Sequence, residues 1–421
     1  MNRITSVFRF PIKASIWNFT CTFMILSLLT STYSQSIDIE ESLNSFGISL
    51  LGETVHQAGD LLNVALSPFT IWTLMTVISE GSRENTARQL ESTLGLPSNK
   101  NMLRNAFQRL SDMLQLKSDG VTLEIDNAIF TNDDFPVKRP FQDISKQYYG
   151  VTTSPTDFKN PAQAASVINK YVARATRNRI KAFVNAGDVA YAQVFMTSIL
   201  YFKGLWNMPF NRSATRRESF YDEKNNKIGD VEMMYQIGTF AYSRMENLNS
   251  HAVELPYGGD RKMSMIVILP FKGVSIAGVL NSISKMTTFS SILTTLENSF
   301  RRFSDEKVHL YLPRFRVDSD FNMNIVLNKI GIKDVFDYDR ANLLNMFDQQ
   351  LYLSRLIQKA QIEVDEEGTI ATSAAGASFE NKSPPPRFRA NRPFLYFIVD
   401  KPTRTMIYAG KISNPNTIKN A

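Results

Sequence analysis

The chain has 421 residues, 43% of them hydrophobic, so it is long enough to bury a sizeable core without disulfide bonds. Its formal net charge is +7, and no nucleic-acid-binding motif accompanies it, so we do not expect nucleic acid as a partner. The three histidines and one cysteine come without a Gly-x-Ser-x-Gly, His-Glu-x-x-His or glycine-rich phosphate motif. We therefore expect neither an enzyme nor a bound metal or other cofactor.

Residues 1–34 have the layout of a secretory signal peptide. Three cations come without an acidic residue, and an apolar stretch follows from Cys21 to Leu29. This stretch is shorter than the roughly 20 residues that span a bilayer, so we expect no membrane anchor. Cleavage near Ser34 would release residues 35–421 to the extracellular space, with a net charge of +4 and no cysteine.

The first part of the secreted chain is mainly helical by its pattern. Helices are predicted from Ser42 to Gln115, interrupted by a turn at which Ser67 suits a helix cap. Alternating apolar residues over Val121–Phe130 predict a half-buried strand. No linker rich in Pro, Gly or Ser divides the chain, so we expect residues 35–421 to form a single domain.

The stretch from Glu366 to Ser383 reads as a strand that has no partner yet. Its small side chains could enter a crowded sheet at little cost, and Gly368 gives it a flexible pivot. An ordinary flexible loop is the alternative, because Gly, Ser and Ala are also linker residues. A strand-like run, Leu351–Val364, precedes it, and Asn391–Asp400 and Met406–Lys411 after it look like a closing hairpin.

Six stretches in this order resemble the serpin family of serine protease inhibitors, over residues 46–415. They are Asn63–Ile71 with Gly81 and Thr86 after it, Met196–Trp206 with Pro209-Phe210, Val253–Tyr257, Ser264–Pro270, Leu312–Phe315 and Gly331-Ile332. The resemblance implies an α+β serpin fold, in which helices pack around a large central β-sheet with two smaller sheets. It also implies an exposed reactive-centre loop at about residues 368–390.

The resemblance implies a mechanism as well. A protease cuts the loop, the loop inserts into the central sheet, and the acyl-enzyme is trapped, so the chain would be a secreted, monomeric suicide inhibitor. Insertion begins at a small-residue hinge, where alternate side chains point into the sheet. The hinge residues so implied are Glu366, Gly368, Thr369, Ala371, Ser373 and Ala375. Ile370 stands where inhibitory serpins usually have glutamate, so we expect slower insertion.

Counting along the loop from both of its ends places the scissile bond at Lys382–Ser383. A lysine suits the carboxylate at the base of a trypsin-like primary pocket, so the resemblance implies a trypsin-like serine protease as partner. Arg387 and Arg389 are alternative basic sites. They follow a triple proline, and we expect them in the next short strand.

The resemblance also names two control points on the central sheet. They are the breach, where the loop enters, with Trp206 beneath an ion pair of Arg314 and Glu366, and the shutter, formed by Ser67, Thr70, Ser198 and Gln358. Family members commonly have Asn and His where this chain has Ser198 and Gln358. We expect these two side chains to form a hydrogen bond that does not titrate near neutral pH.

Two surface features concern modification and polyanions. Asn211 opens a sequon and is a better glycosylation candidate than Asn381, whose sequon is followed by Pro384. Some serpins bind glycosaminoglycans on the helix predicted near residues 100–117, whose basic residues here are Lys100, Arg104, Arg109 and Lys117. An ordinary solvated helix face is the interpretation we favour, with at most weak binding.

The alternative function is that of a non-inhibitory serpin, acting as a carrier, chaperone or storage protein. Such a protein would keep the fold but would not need a small-residue hinge. The small residues at Thr369, Ala371, Ser373 and Ala375 argue against it, whereas Ile370 argues for it.

Overall fold

A computed structural model of the chain describes residues 38–115, 118–303, 306–368 and 385–416. The chain divides into two units, residues 1–38 and residues 39–421. The predicted signal peptide lies outside the described residues. Every helix and strand named below belongs to the second unit.

The described residues form ten α-helices and fifteen β-strands. The helices are α1 (Ile39–Ala58), α2 (Pro68–Gly81), α3 (Glu84–Leu94), α4 (Lys100–Gln115), α5 (Arg139–Tyr149), α6 (Pro161–Ala175), α7 (Ala186–Val189), α8 (Ile276–Met286), α9 (Phe289–Arg302) and α10 (Met323–Ile330). The strands are β1 (Val64–Leu66), β2 (Val121–Asn132), β3 (Thr152–Thr156), β4 (Val194–Gly204), β5 (Arg216–Tyr221), β6 (Lys227–Gly238), β7 (Ala241–Met245), β8 (Ser250–Pro256), β9 (Met263–Pro270), β10 (Val308–Pro313), β11 (Phe315–Asn322), β12 (Leu353–Val364), β13 (Arg387–Arg389), β14 (Phe394–Asp400) and β15 (Thr405–Ile412).

Within the described residues the strands form three sheets. The central sheet has the order β11-β12-β4-β2-β3, the second β1-β15-β14-β9-β8-β7 and the third β13-β10-β6-β5. The predicted α+β class is confirmed. The second sheet has six strands against five in the central sheet, but most of its strands are shorter. The central sheet contains three long strands, since β2, β4 and β12 have 12, 11 and 12 residues.

Helix α2 begins as its sequence predicts. The Ser67 hydroxyl accepts a hydrogen bond from the Thr70 N–H at 3.3 Å, and Pro68 occupies the first helical turn, where its missing N–H costs nothing. Every residue of α2 is buried. The helix is therefore held inside the molecule, with its N-terminus beneath the central sheet.

The main core lies between the central and second sheets and extends to the helices behind them. Strands β14 and β15 are buried at every residue, which confirms the predicted closing hairpin. Helices α1 and α2 contact β15 on one side. On the other, the Phe315 ring of the central sheet packs against Phe394 and Tyr396. Cover on both faces explains why these strands are mostly apolar.

The predicted strand is present as β2, but the burial of its residues does not alternate: Leu123–Asp126 are all partly buried, and nearly all of the second half is buried. Asn127–Thr131 are all buried, because both faces of this half are covered. On one face, Ala128 and Phe130 pack with Ile168 and Val172 of α6. The opposite face contacts α2.

Candidate functional site

Both ends of the predicted reactive-centre loop are described, but its middle is not. The predicted residues that lie outside the described part of the chain are Thr369, Ile370, Ala371, Ser373, Ala375, Asn381, Lys382 and Ser383. The candidate site is therefore the place where the loop leaves the central sheet, together with the sheet that would receive it.

After β12 the chain crosses Trp206 in an extended path. The Trp206 backbone N–H donates to the Glu367 carbonyl oxygen at 3.0 Å, and its indole N–H donates to the Asp365 carbonyl oxygen at 2.7 Å. A parallel bridge joins Trp206 to Gly368. The first residues of the predicted hinge are thus hydrogen-bonded to the breach tryptophan.

Trp206 is itself firmly packed. Its ring is stacked on Tyr257 with a centroid distance of 4.4 Å and an interplanar angle of 13°. The Phe210 ring meets it edge-on at 6.1 Å, and Trp206 is only 2% exposed. The breach therefore has a rigid aromatic floor, as the resemblance implies.

Gly368 was predicted for its flexible backbone. In the structure, close packing also requires glycine at this position. A Cβ atom there would lie 2.5 Å from the Pro209 Cβ and 2.7 Å from the Trp206 carbonyl oxygen. Its backbone is not in the left-handed region. Any side chain at Gly368 would therefore separate the hinge from the breach.

The predicted ion pair between Arg314 and Glu366 is confirmed. The Arg314 Nη2 atom lies 2.6 Å and 2.7 Å from the two Glu366 carboxylate oxygens. The Thr215 hydroxyl donates a further hydrogen bond to Glu366 Oε1 at 2.7 Å. Glu366 is 2% exposed, whereas Arg314 is 47% exposed. Sequence reasoning did not find Thr215, because no local pattern links it to the breach.

The electrostatics of this pair keep Glu366 charged. Burial acts to raise the pKa of Glu366, but the hydrogen bonds from Arg314 and Thr215 outweigh it and hold that pKa below its ordinary value. The hydrogen bond to Glu366 in turn raises the pKa of Arg314. Hydrogen bonds to charged groups contribute about 1.5–3 kcal/mol each, but the exposure of Arg314 reduces this figure.

At the shutter, the Gln358 side-chain amide has four hydrogen-bonding neighbours. The two hydrogens of its Nε2 are shared among the Ser67 carbonyl oxygen at 3.0 Å, Thr70 Oγ1 at 2.9 Å and Ser198 Oγ at 3.1 Å. Its Oε1 accepts from the Ser67 N–H at 3.1 Å. The predicted bond between Ser198 and Gln358 is confirmed, and the amide also binds the backbone at the start of α2.

Two serine hydroxyls extend the shutter. Ser198 donates to Thr70 Oγ1 at 2.6 Å, and Ser67 donates to the Ile407 carbonyl oxygen at 2.8 Å. Ser198 is the register partner of Gln358. The network thus joins β4, β12, α2 and β15 and contains none of the titratable side chains among the described residues.

The two strands that meet at the shutter run parallel. The β4–β12 ladder extends from the pair Val194–Leu353 to the pair Phe202–Ile362. On its outer sides β12 pairs with β11 and β4 pairs with β2, both antiparallel. The middle of the central sheet is therefore a parallel ladder between two antiparallel ones.

The alternative basic residues lie in a paired strand, as predicted. Arg387 and Arg389 are the ends of β13, which pairs with β10 in parallel. The Arg389 guanidinium lies 2.6 Å from a Glu218 carboxylate oxygen and over the Tyr311 ring. Their backbone is held in the third sheet.

Two of the four basic residues predicted near α4 are already neutralised. The Lys100 ammonium lies 2.8 Å from a carboxylate of α3, and the Arg104 guanidinium lies 2.8 Å from the buried Glu80. Arg109 is exposed, whereas Lys117 lies outside the described residues. This arrangement supports the solvated-face interpretation over a polyanion site.

Asn211 is exposed at the start of a short turn of 3-10 helix. Its side-chain oxygen accepts hydrogen bonds from the Ser213 N–H at 2.9 Å and the Ser213 hydroxyl at 2.8 Å. The sequon is thus at the surface, and glycosylation stays a prediction.

Among the described side chains, no group of three or more His, Cys, Asp or Glu is arranged to hold a metal ion. Two of the histidines, His251 and His309, each bond a tyrosine hydroxyl through Nδ1 at 2.9 Å. No described helix has both the length and the apolar content needed to cross a membrane.

Comparison with known proteins agrees with this geometry. The family model "Serpin (serine protease inhibitor)" matches residues 41–415. A serpin-like protein of Thermococcus kodakarensis is 32% identical over 90% of this chain and 87% of its own length. Leukocyte elastase inhibitor A of Mus musculus is 28% identical over 89% of this chain and 99% of its own. The crystal structure of Manduca sexta serpin-12 has a TM-score of 0.78 at 25% identity, covering 90% of this chain and 99% of that one.

Proposed function

This chain belongs to the serpin family of serine protease inhibitors, and we propose that it is a secreted suicide inhibitor of trypsin-like serine proteases. In this proposal the protease cleaves Lys382–Ser383, and the loop then inserts into the central sheet. The inhibitor acts as a monomer, without catalysis of its own and without a cofactor. Secretion rests on the signal-like residues 1–34.

The observation that carries the proposal is the parallel β4–β12 ladder beside the start of the loop. A strand that turned back from the end of β12 would be antiparallel to both β12 and β4. Insertion would thus replace one parallel ladder by two antiparallel ones, which are more stable per residue. The shutter joins these two strands, and the breach holds the end of β12, until the loop is cut.

The proposed chemistry is that of an interrupted acyl transfer. The protease serine oxygen attacks the carbonyl carbon of Lys382, and an ester bond forms as the peptide bond to Ser383 breaks. The nitrogen of Ser383 leaves as a protonated amine. Insertion of the hinge then carries the tethered protease away and distorts its active site, so water does not hydrolyse the ester.

The choice of bait residue is supported by the positions of its rivals. A protease needs an extended, accessible segment, and the backbone of Arg387 and Arg389 is paired in the third sheet. Cleavage there would require β13 to leave β10. Lys382 precedes β13, so in this proposal cleavage after Lys382 does not require β13 to separate from β10.

Incubation with trypsin tests this function directly. We expect a complex that survives boiling in detergent, at roughly one protease per inhibitor, with a C-terminal fragment beginning at Ser383. Lys382→Ala should abolish the complex, and Arg387→Ala is the matched control that should retain it. Mass spectrometry that found the cut only after Arg387 or Arg389 would overturn the bait assignment. Digestion without a complex would favour the carrier, chaperone or storage alternative.

A second variant tests insertion separately from cleavage. Thr369→Arg would place a charge at the first inserting position, where burial without a partner costs several kcal/mol. Acylation should proceed while insertion stalls, so the variant should be cut at Lys382 as a substrate. Undiminished complex formation by Thr369→Arg would mean that this loop does not insert as proposed.

A further inference from the structure

A cavity of about 600 Å³ lies among α1, α8 and β15, apart from the breach and the shutter. Ile48 and Val55 of α1 and Ile276 and Leu280 of α8 line it, and all four side chains are buried. The cavity therefore has apolar walls on two sides. Its volume lies within the range of about 300–1,000 Å³ that is usual for small-molecule sites.

A buried cation also lines this cavity. Lys411 of β15 is 2% exposed, and its ammonium donates a hydrogen bond to the Gly59 carbonyl oxygen at 2.6 Å, just after the end of α1. Gly59 is itself a lining residue, so the ammonium lies at the cavity wall. An ammonium has three N–H donors, and among the described residues the Gly59 oxygen is the one acceptor bonded to Lys411. Two donors are thus left for a ligand.

Two carboxylates near Lys411 act on it only through space. They are Asp60, which is exposed, and Glu223, whose carboxylate accepts a hydrogen bond from the Ile276 N–H at 2.9 Å. Burial lowers the pKa of Lys411, and the two carboxylates offset only part of this effect. The ammonium therefore lacks a directly bonded negative group, and an anion placed against it would be stabilised.

A glycine inside α1 leaves the cavity open on one side. Gly52 lies within this helix of 20 residues, where a glycine costs about 1 kcal/mol relative to alanine. A Cβ atom at Gly52 would meet no atom of another segment within 4 Å, and the backbone there is not left-handed. Neither packing nor backbone conformation requires this glycine. Its effect is to keep space at the cavity wall.

We propose that this cavity binds a small carboxylate with an alkyl body. The ligand carboxylate would accept charge-assisted hydrogen bonds from Lys411, and the alkyl chain would pack on the apolar walls beside Gly52. Repulsion from the exposed Asp60 is screened by water, whereas the bond to Lys411 is direct. An alcohol of the same length would bury the same alkyl chain without the ionic bond. This site does not depend on the proposed inhibition of proteases.

Calorimetry on the full-length protein tests binding, with octanoate as probe and 1-octanol as its neutral match. We expect saturable binding of octanoate and about tenfold weaker binding of the alcohol. Lys411→Met keeps a long side chain but removes the charge, so it should weaken octanoate binding about tenfold and leave octanol binding unchanged. Lys272→Met removes the same charge from an exposed position outside the cavity and is the matched control.

A second variant fills the cavity without removing any charge. Gly52→Leu places a side chain in the open space and improves the helix propensity of α1, so the unfolding midpoint should stay equal or rise. Binding of both probes should be lost. Because Lys411 also bonds the end of α1, Lys411→Met could impair folding, and Gly52→Leu then decides the matter.

Each contrary result counts directly against the proposal. Absence of saturable octanoate binding would remove the site, and equal affinity for the alcohol would remove the preference for a carboxylate. Full octanoate binding by Gly52→Leu would place the ligand elsewhere. An equal loss of affinity in Lys272→Met and Lys411→Met would assign the effect to net charge and not to the buried ammonium.

Discussion

The breach and the shutter restrain β12 by different means, one at its C-terminal end and the other at its middle. At the breach, a buried carboxylate is held by a guanidinium that is 47% exposed. At the shutter, a side-chain amide that is 1% exposed is hydrogen-bonded only to neutral groups. Salt and acid can therefore reach the first restraint, whereas neither should affect the second. The central sheet therefore has one restraint that responds to solution conditions and another that does not.

The largest expected effect comes from removing the charge at the breach. Glu366→Ala leaves Arg314 and Thr215 without their shared acceptor, at a cost of about 2 kcal/mol, or about 30-fold in the opening equilibrium. We expect faster spontaneous loop insertion and polymerisation on mild heating, measured on native gels.

A matched control separates this effect from a general loss of negative charge. Glu363 lies at the end of β12, three residues before Glu366, and is exposed, so Glu363→Ala should behave as the unmodified protein. If both variants polymerised at the same rate as the unmodified protein, the ion pair between Arg314 and Glu366 would not restrain the loop.

Acid should also weaken the breach, but by less than Glu366→Ala does. Because the pKa of Glu366 in the folded protein is held below its ordinary value of about 4.3, its stabilising contribution is complete above that value and is lost as pH falls through the folded pKa. We expect loop insertion to accelerate below about pH 4. Glu366→Gln should reduce this acceleration. If the variant had the same acid profile as the unmodified protein, the acceleration would arise from other carboxylates.

The smallest effect is expected at the shutter. It is measured in a double variant that replaces both Ser198 and Gln358. With Gln358 in place, the unfolding midpoint should vary little between about pH 5.5 and 8 on account of this site, because an amide does not titrate. The double variant Ser198→Asn, Gln358→His should acquire a dependence centred near the unperturbed histidine pKa of about 6.5. Burial disfavours the charged ring, so stability should fall as pH drops below that value. A flat profile for the double variant would show that the shutter pair does not control opening.

Much of the breach was predictable because its residues stand next to recognisable strand motifs. Trp206 follows β4, Arg314 separates β10 from β11, and Glu366 follows β12, so the order of the strands brings the three together. Thr215 was missed, because it precedes β5 and meets Glu366 only through the folding of the third sheet. The sequence predicted that Gly368 provides a flexible backbone. It did not predict that Gly368 packs too closely against Trp206 to carry a side chain.

The shutter was predicted as four residues with one hydrogen bond, between Ser198 and Gln358, and the structure has hydrogen bonds among all four. The register of β4 and β12 places Ser198 opposite Gln358, which the family resemblance implies. The contact of Gln358 with the Ser67 backbone depends on the start of α2 lying beneath β12. No pattern in either segment signals it, because it joins residues far apart in sequence.

The sequence by itself determined the family, the α+β class, the closing hairpin and the cap of α2, because each depends on local pattern or on motifs in order. It did not determine strand partners or which faces are covered. The parallel β4–β12 ladder, the continuous burial of Asn127–Thr131 and the cavity among α1, α8 and β15 are decided only by tertiary structure. The physical reason is that burial and hydrogen bonding at these places depend on distant segments, whose approach no local periodicity records.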